Sequence, residues 1–154
     1  MNTNMTIQPA TMNDLEVLAF MFDDYRQCYE QTPDFTAAKN FIQDRLSLND
    51  TLLLIAYDEI EGQKIGAGFV QIYPSFSSIS MKKIFILNDL YVNPDLRKKG
   101  IAKLLINSAK QFAIDSKAGQ LVIETRISNS SAQKLYDSVG FTKEGEHLYY
   151  YLET

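Results

Sequence analysis

The stretch ILNDLYVNPDLRKKGIAKLLINSAKQFA, residues 86–113, joins a strand pattern to a helix pattern. The strand pattern begins at Lys82, is rich in β-branched and aromatic residues, and is stopped by Asn93-Pro94. From Lys98 to about residue 116 a helical pattern follows. Its apolar face consists of Ile101, Leu104, Leu105, Ala109 and Phe112. The stretch therefore predicts a strand that passes through a short loop into a long helix.

The loop within this stretch is basic and holds a glycine. Arg97, Lys98 and Lys99 come just before Gly100, where the predicted helix begins. Unpaired N–H groups at a helix start attract anions, a glycine lets a phosphate approach the main chain, and neighbouring cations strengthen the attraction. The same cations oppose the helix dipole unless an anion arrives. The loop predicts a phosphate-binding corner, and the alternative interpretation is an ordinary basic turn.

Length and composition predict one domain with one core. The chain has 154 residues, of which 45% are hydrophobic, so we expect a single domain over residues 1–154. No segment approaches the roughly 20 apolar residues of a membrane span. The first residues lack the basic start and apolar run of a signal peptide. We therefore expect a cytoplasmic protein that does not bind membranes.

Cysteine, histidine and charge exclude several function classes. The single cysteine, Cys28, can form no internal disulfide bond, and the single histidine, His147, leaves no His/Cys cluster for a metal ion. The net charge of −4 argues against general nucleic-acid binding. Residues 1–60 carry ten acids and three bases, whereas residues 97–117 carry six bases and one acid. Either one region favours cations and the other anions, or both are solvated helix faces.

The remaining patterns predict an α/β domain. Thr11 and Asp14 are spaced as a capping box at the start of the first helix. The predicted segments are a strand at 6–10, helices at 11–29 and 34–48, strands at 49–59, 65–76 and 82–92, the helix from 98, a strand at 121–127, a helix closed by Gly140 and a hairpin at 141–153. We predict a mixed, mainly antiparallel central sheet, with parallel pairing through helical crossovers and about four flanking helices.

The order and content of these segments resemble the GNAT superfamily of N-acetyltransferases. Residues 86–113 resemble the family's acetyl-CoA motif, in which a strand is followed by Arg/Gln-x-x-Gly-x-Gly/Ala and a helix. LVIETRISNSSAQKLYDSVGFTKEG, residues 121–145, resembles the motif that follows, and IQPATMNDLEVLAFMFDDY, residues 7–25, is similar to the family's common opening. The resemblance implies a GNAT-like fold, N-acetyltransferase activity, and acetyl-CoA as the acyl-donor cosubstrate.

The resemblance also implies residues that bind acetyl-CoA. The pyrophosphate would be held by the backbone of Arg97, Lys98, Lys99, Gly100, Ile101 and Ala102. In the family the preceding strand bulges, so the backbone of Leu90, Tyr91 and Val92 would bind pantetheine, and an N–H there would polarise the thioester carbonyl. Asn129 matches an asparagine that helps to hold the pantetheine arm, and its alternative role is a helix N-cap.

Tyr136 is the predicted catalytic acid. It matches the family's tyrosine whose phenol protonates the departing CoA thiolate. The alternative is that Tyr136 only packs beside Leu135 against the sheet. The resemblance implies direct transfer to a deprotonated amine, so Cys28 need not act as a nucleophile. Because an aliphatic amine has a reference pKa of about 10.4, a base or a proton relay is needed at pH 7.

The chain departs from a common family pattern at the position of this base. Relatives that act on small amines often carry Leu-Glu-Asp where this chain has Leu87, Asn88 and Asp89. Asn88 cannot accept the proton at neutral pH, and we place it among the substrate-binding residues. Asp89 remains to anchor an ammonium group or to pass its proton through water. The alternative is a carboxylate that only satisfies the bulged backbone.

In this superfamily, substrate specificity resides mainly in the first helices, which are acidic and aromatic here. Asp23, Tyr25 and Tyr29 would attract a cation by Coulomb and cation–π interaction, which predicts a small-molecule amine such as a polyamine, a diamine or an amino-acid-like compound. The alternative is that the tyrosines belong to the core and Asp23 faces water. YPSFSS, residues 73–78, is either a further pocket wall or an ordinary loop.

Two other functions compete with small-amine acetylation. One is acetylation of a protein or peptide, at its N-terminus or a lysine, which needs an open groove. The other is a non-catalytic CoA-binding interaction module, which the loss of glutamate at Asn88 favours and the retention of Tyr136 opposes. The tyrosine run at residues 149–151 alternates between two faces of a strand, and we expect a homodimer.

Overall fold

The computed structural model describes residues 5–154. The chain divides into two compact units, Met1–Glu124 and Thr125–Thr154. No helix within residues 5–154 combines the length and the apolar character needed to cross a membrane.

The first unit contains a five-stranded sheet and three α-helices. Its elements are β1 (Thr6–Pro9), α1 (Leu15–Gln27), α2 (Phe35–Leu48), β2 (Leu52–Ile60), β3 (Gln63–Ser77), β4 (Lys82–Val92), α3 (Ile101–Asp115) and β5 (Gln120–Ile123), with short 3-10 helices at Met12–Asp14 and Pro94–Leu96. The strand order is β1-β2-β3-β4-β5. All neighbouring strands are antiparallel except β4 and β5, which are parallel. The predicted mixed, mainly antiparallel α/β fold is confirmed.

The second unit contains α4 (Ser130–Val139), which ends at Gly140 in the left-handed conformation, as predicted. Residues 141–154 form no strand, so the predicted hairpin is wrong. A two-stranded hairpin is marginal by itself. Within Thr125–Thr154 there is no other strand against which it could form a sheet.

The predicted capping box fixes the start of α1. Asp14 Oδ2 accepts a hydrogen bond from the Thr11 backbone N–H at 2.8 Å, and the Thr11 hydroxyl accepts one from the backbone N–H of Asn13. The buried Asp14 also accepts a hydrogen bond from the Tyr57 hydroxyl at 2.6 Å. Asp14 therefore accepts a hydrogen bond from a backbone N–H at the helix start and also connects this start to β2 through Tyr57.

Helices cover both faces of the sheet. Phe69 of β3 contacts the ring of Phe22 on α1, whereas the neighbouring Gly68 faces Leu105 of α3. Consecutive strand residues point to opposite faces, so α1 and α3 lie on opposite sides. Ile101 and Leu105 are buried as predicted, but Leu104 is 44% exposed. The apolar stripe of α3 is therefore narrower than the sequence pattern indicates.

Candidate active site

A β-bulge lies in the middle of β4. Gln71 pairs with Asp89 and Ile72 pairs with Leu87, so Asn88 is an extra residue with no partner on β3. The bulge that the family resemblance implies is present, immediately before Asp89.

β4 also runs past the end of its parallel neighbour. The last pair between β4 and β5 joins Leu87 to Ile123. From Asn88 to Val92, β4 continues beyond this pair, and this segment includes the three residues expected to bind pantetheine. Main-chain groups at a free strand edge can pair with an extended ligand as they would with an added strand.

The basic corner follows β4 directly and has an open backbone. Lys98 and Gly100 adopt the left-handed conformation, with φ of 64° and 80°. Gly100 is the N-cap of α3, and no side chain caps the helix there. A Cβ at Gly100 would meet no atom within 4 Å. The first N–H groups of α3 therefore face an accessible corner in which an anion can be bound.

Two side chains of the corner make polar contacts with strands of the sheet. Arg97 Nε donates a hydrogen bond to the carbonyl of Val92 at 3.2 Å. Lys99 Nζ lies 3.5 Å from Oδ2 of Asp58, a buried carboxylate on β2. These contacts hold the loop against the ends of β4 and β2, and its basic residues remain exposed.

Asp89 is a buried carboxyl group with neutral partners. It is 6% exposed, and its Oδ1 accepts a hydrogen bond from Asn88 Nδ2 at 3.2 Å. Tyr25 also donates a hydrogen bond to it. Burial raises the pKa of Asp89 above its ordinary value, and the hydrogen bonds from Asn88 and Tyr25 oppose the rise only in part. A carboxyl group in this setting is a stronger base than an exposed aspartate.

Tyr25 belongs to both the core and the polar cluster. Its ring packs against Phe69, with centroids 5.9 Å apart, and against Tyr29 at 5.1 Å. Burial, followed by the charge of Asp89, raises the pKa of the Tyr25 hydroxyl, so it stays protonated and acts as a donor. Tyr29 lies beyond the end of α1, is 48% exposed, and is hydrogen-bonded to Tyr25. Tyr25 is therefore packed in the core and is also bonded to Asp89, and its part in substrate binding stays a prediction.

Gln71 and Tyr73 complete this cluster, and Gln71 is not among the site residues predicted from the sequence. The side chain of Gln71 is completely buried, and its Nε2 donates a hydrogen bond to the Tyr73 hydroxyl. Burial, followed by the charge of Asp89, raises the pKa of Tyr73. Residues 73–77 continue β3, so the alternative of an ordinary loop is wrong at these positions. The available signal for Gln71 was a single amide inside the apolar strand GFVQIY.

The two neighbouring acids of α1 have other partners. Asp23 is buried, pairs with Arg26 at 2.7 Å, and accepts a hydrogen bond from the backbone N–H of Asp34 at 3.0 Å. It thereby connects the end of α1 to the start of α2. Asp24 Oδ2 lies 3.4 Å from the Tyr91 hydroxyl. These contacts do not join Asp23 to the cluster around Asp89.

The predicted site residues of the second unit lie on α4. Asn129 is its N-cap and accepts a hydrogen bond from the Ala132 backbone N–H at 3.1 Å, so the capping role is confirmed. Tyr136 is half-buried, and its ring centroid lies 5.9 Å from that of Phe141.

Comparisons with known proteins agree with this fold. The acetyltransferase (GNAT) family model matches residues 18–141. The chain is 38% identical over 148 residues to the uncharacterized N-acetyltransferase YhfO of Bacillus subtilis, covering 96% of this chain and 97% of that protein. A crystal structure of a probable acetyltransferase is 34% identical, with a TM-score of 0.88 and 97% of each chain covered. N-alpha-acetyltransferase 30 of Xenopus laevis is 36% identical over 63 residues, 41% of this chain and 23% of that protein.

The fold, in which a bulged strand leads into a glycine-containing basic corner at a helix start, is that of an acetyltransferase. The chain belongs to the acetyltransferase (GNAT) family. It is an N-acetyltransferase that uses acetyl-CoA as its cosubstrate.

The residues of the corner fit this cosubstrate. The left-handed Gly100 leaves open the space that a side chain would fill, and the start of α3 has no side-chain cap. Three exposed basic residues at 97–99 supply the opposite charge for phosphate.

Proposed function

We propose that this protein transfers the acetyl group directly to the amine of a small cationic molecule, such as a polyamine, a diamine or an amino-acid-like compound. The observation that carries the proposal is the position of Asp89. This carboxyl group is buried beside the bulge of β4 and is held by the Tyr25 hydroxyl of α1.

The surroundings of Asp89 favour a cationic acceptor. Its two hydrogen-bond partners, Asn88 and Tyr25, are neutral. An ionised carboxylate that is buried with neutral partners is costly, and a bound ammonium group offsets that cost by supplying the opposite charge. Tyr25 and Tyr29 add aromatic surface that attracts cations, an interaction worth roughly 0.5–2 kcal/mol.

Asp89 then serves as the base. Its raised pKa makes it better able to take a proton from the ammonium group, directly or through water. Asn88, Tyr25 and Tyr29 are proposed to line the acceptor site around it. Asp23 is proposed to hold the start of α2, because Arg26 and Asp34 already occupy its carboxylate.

The other residues take the roles that the family resemblance implies. Acetyl-CoA supplies an activated acetyl thioester. The backbone at 97–102 binds its pyrophosphate, and the backbone of Leu90, Tyr91 and Val92 binds pantetheine and stabilises the developing oxyanion. In the second unit, Asn129 is proposed to help hold pantetheine and Tyr136 to give its proton to the departing thiolate. Cys28 is exposed at the C-cap of α1 and takes no part in direct transfer.

Acetylation of a protein or peptide is the second candidate. The partial similarity to N-alpha-acetyltransferase 30 favours it. A non-catalytic CoA-binding module is the third candidate, and the retained corner and Tyr136 count against it.

We further propose that residues 1–154 form one domain. We propose a cytoplasmic location, for which the free thiol of Cys28 is suited. We also propose a homodimer, for which the exposed tyrosines at 149–151 offer apolar surface.

The test is CoA release from acetyl-CoA with a panel of polyamines, diamines, amino acids and short peptides. Tyr136→Phe and Asp89→Asn are measured beside the wild type, together with binding of acetyl-CoA. We expect turnover with one class of small amine and a loss of about a hundredfold or more in each variant. Turnover with peptides alone would contradict small-amine acetylation and favour the second candidate, acetylation of a protein or peptide. Binding of acetyl-CoA without turnover on any acceptor would favour the third.

A further inference from the structure

The side chain of Gln71 carries a buried oxygen that the fold does not use. Gln71 has no solvent exposure, and its Oε1 has no hydrogen-bond partner among the described residues. Its Nε2 is bonded to the Tyr73 hydroxyl. A buried polar atom without a partner costs free energy, and most such atoms in folded proteins are satisfied. The oxygen therefore calls for a donor from outside the described residues, such as a bound ligand.

The position of Gln71 places this oxygen at the acceptor site. Gln71 and Asp89 are paired across β3 and β4, and directly opposite residues of antiparallel strands have their side chains on the same face. Tyr73 lies two residues further along β3 and therefore shares that face. Tyr25 of α1 reaches the same cluster through its hydrogen bond to Asp89. The unpaired oxygen is thus a neighbour of the carboxyl group proposed to bind the amine.

We propose that Gln71 Oε1 accepts a hydrogen bond from the acceptor amine and selects primary over secondary amines. This inference rests on the proposed function and names the class of amine that the same site takes.

The selection follows from counting hydrogen atoms. A primary ammonium group carries three N–H bonds, and after it has given one proton to Asp89 or to water it keeps two, with its lone pair free for the thioester carbon. One N–H is then available for Gln71 Oε1 and the other for Asp89. A secondary amine in the same state has one N–H, so either Gln71 or Asp89 is left without a donor. Sites built to hydrogen-bond a substrate reject analogues that lack the donor.

The experiment compares a primary amine from the panel with its N-methyl analogue. For the wild type we expect kcat/KM to favour the primary amine by about tenfold or more. Gln71→Met keeps the length of the side chain and removes the oxygen, and the preference should fall to about threefold or less. Gln71→Glu keeps an acceptor oxygen and should keep the preference. Gln111→Met, on the exposed side of α3, is the matched control and should behave as wild type.

The comparison separates recognition from folding and from steric exclusion. The melting temperature and the KM for acetyl-CoA are measured for every variant. In Gln71→Met the KM for acetyl-CoA should not change, and the melting temperature should not fall, because removal of the unpaired oxygen offsets loss of the bond to Tyr73. If the N-methyl analogue is rejected only because its methyl group does not fit, wild type and Gln71→Met will show the same preference for the primary amine. That result overturns the inference and leaves the proposed function intact. If the wild type acetylates no small amine, the proposed function fails and this inference fails with it.

Discussion

Gln71 lies directly opposite Asp89 in the antiparallel pairing of β3 and β4, and the register of the two strands shifts at the next residue. The shift is caused by Asn88, the extra residue of the bulge. It brings a buried amide and a buried carboxyl group together where β4 leaves its parallel neighbour. Two buried acceptor groups beside an open backbone edge are costly for the fold unless a ligand uses them.

Asp89→Asn is expected to lower activity and to raise stability at neutral pH. Asparagine keeps the shape and an acceptor for Tyr25 but cannot take a proton, so kcat/KM should fall by about a hundredfold or more. The pKa of Asp89 is raised above its ordinary value of 3.8 in the folded state. The protonated Asp89 therefore contributes its full stability at pH values below the unfolded-state pKa. That contribution is lost as the pH rises through the folded-state pKa.

Urea denaturation at two pH values checks this prediction. The free energy of unfolding of Asp89→Asn should exceed that of the wild type at pH 7, and the difference should shrink towards pH 4. Asp95→Asn, in the exposed turn before the basic corner, is the control and should change neither activity nor stability. An advantage of equal size at both pH values would contradict an effect of ionisation at Asp89.

Local sequence patterns predicted the parts of the site that depend on neighbours in the chain. The basic corner, the helix that follows it and the N-cap at Asn129 each depend on residues a few positions apart. The family resemblance added the bulge. Gln71 was missed because its pairing with Asp89, 18 positions later in the chain, leaves no local pattern. The contact of Asp23 with Asp34 was missed for a similar reason, since the two residues lie 11 positions apart.

The Asp14–Tyr57 hydrogen bond should stabilise the protein without affecting catalysis. The bond is buried and 2.6 Å long, so Tyr57→Phe should cost about 1 kcal/mol. Asp14→Ala also removes the capping box and should cost about 2–3 kcal/mol. Burial raises the pKa of Asp14, but the hydrogen bonds from Tyr57 and Thr11 outweigh burial and lower the pKa below 3.8.

The sign of this shift predicts acid sensitivity. The pKa of Asp14 is lower in the folded than in the unfolded state. Its carboxylate therefore stabilises the fold at pH values above the unfolded-state pKa, and this stabilisation is lost as the pH falls through the folded-state pKa. The loss of stability caused by Asp14→Ala should therefore be full at pH 7 and smaller near pH 3. Thermal unfolding at both values measures it, and kcat should stay at the wild-type value in Tyr57→Phe. A stability difference that does not depend on pH would count against the assignment.

Lys99 should contribute to stability through Asp58, unlike its neighbour Lys98. Lys99 Nζ lies 3.5 Å from the buried Asp58 carboxylate. Lys99→Met removes that cation and should cost about 1 kcal/mol, since Lys99 itself is partly exposed. Lys98→Met is the matched control and should change the free energy of unfolding by no more than about 0.5 kcal/mol. If Asp58→Asn abolishes the difference between the two lysine variants, the ion pair accounts for it; an unchanged difference would exclude the pair as its cause.

Gly100→Ala should weaken acetyl-CoA binding selectively. Gly100 has φ of 80°, and a Cβ there meets no protein atom within 4 Å, so the added methyl group enters the corner where the phosphate is expected. The KM for acetyl-CoA should rise by about tenfold or more, while the strain of the left-handed backbone costs about 1 kcal/mol of stability. Gly62 in the β2–β3 turn has φ of 77° and equally open surroundings. Gly62→Ala therefore carries the same strain away from the corner and should lower the melting temperature to a similar extent with an unchanged KM. Equal KM values in the two variants would show that Gly100 serves only the turn, and the phosphate would then have to be bound elsewhere.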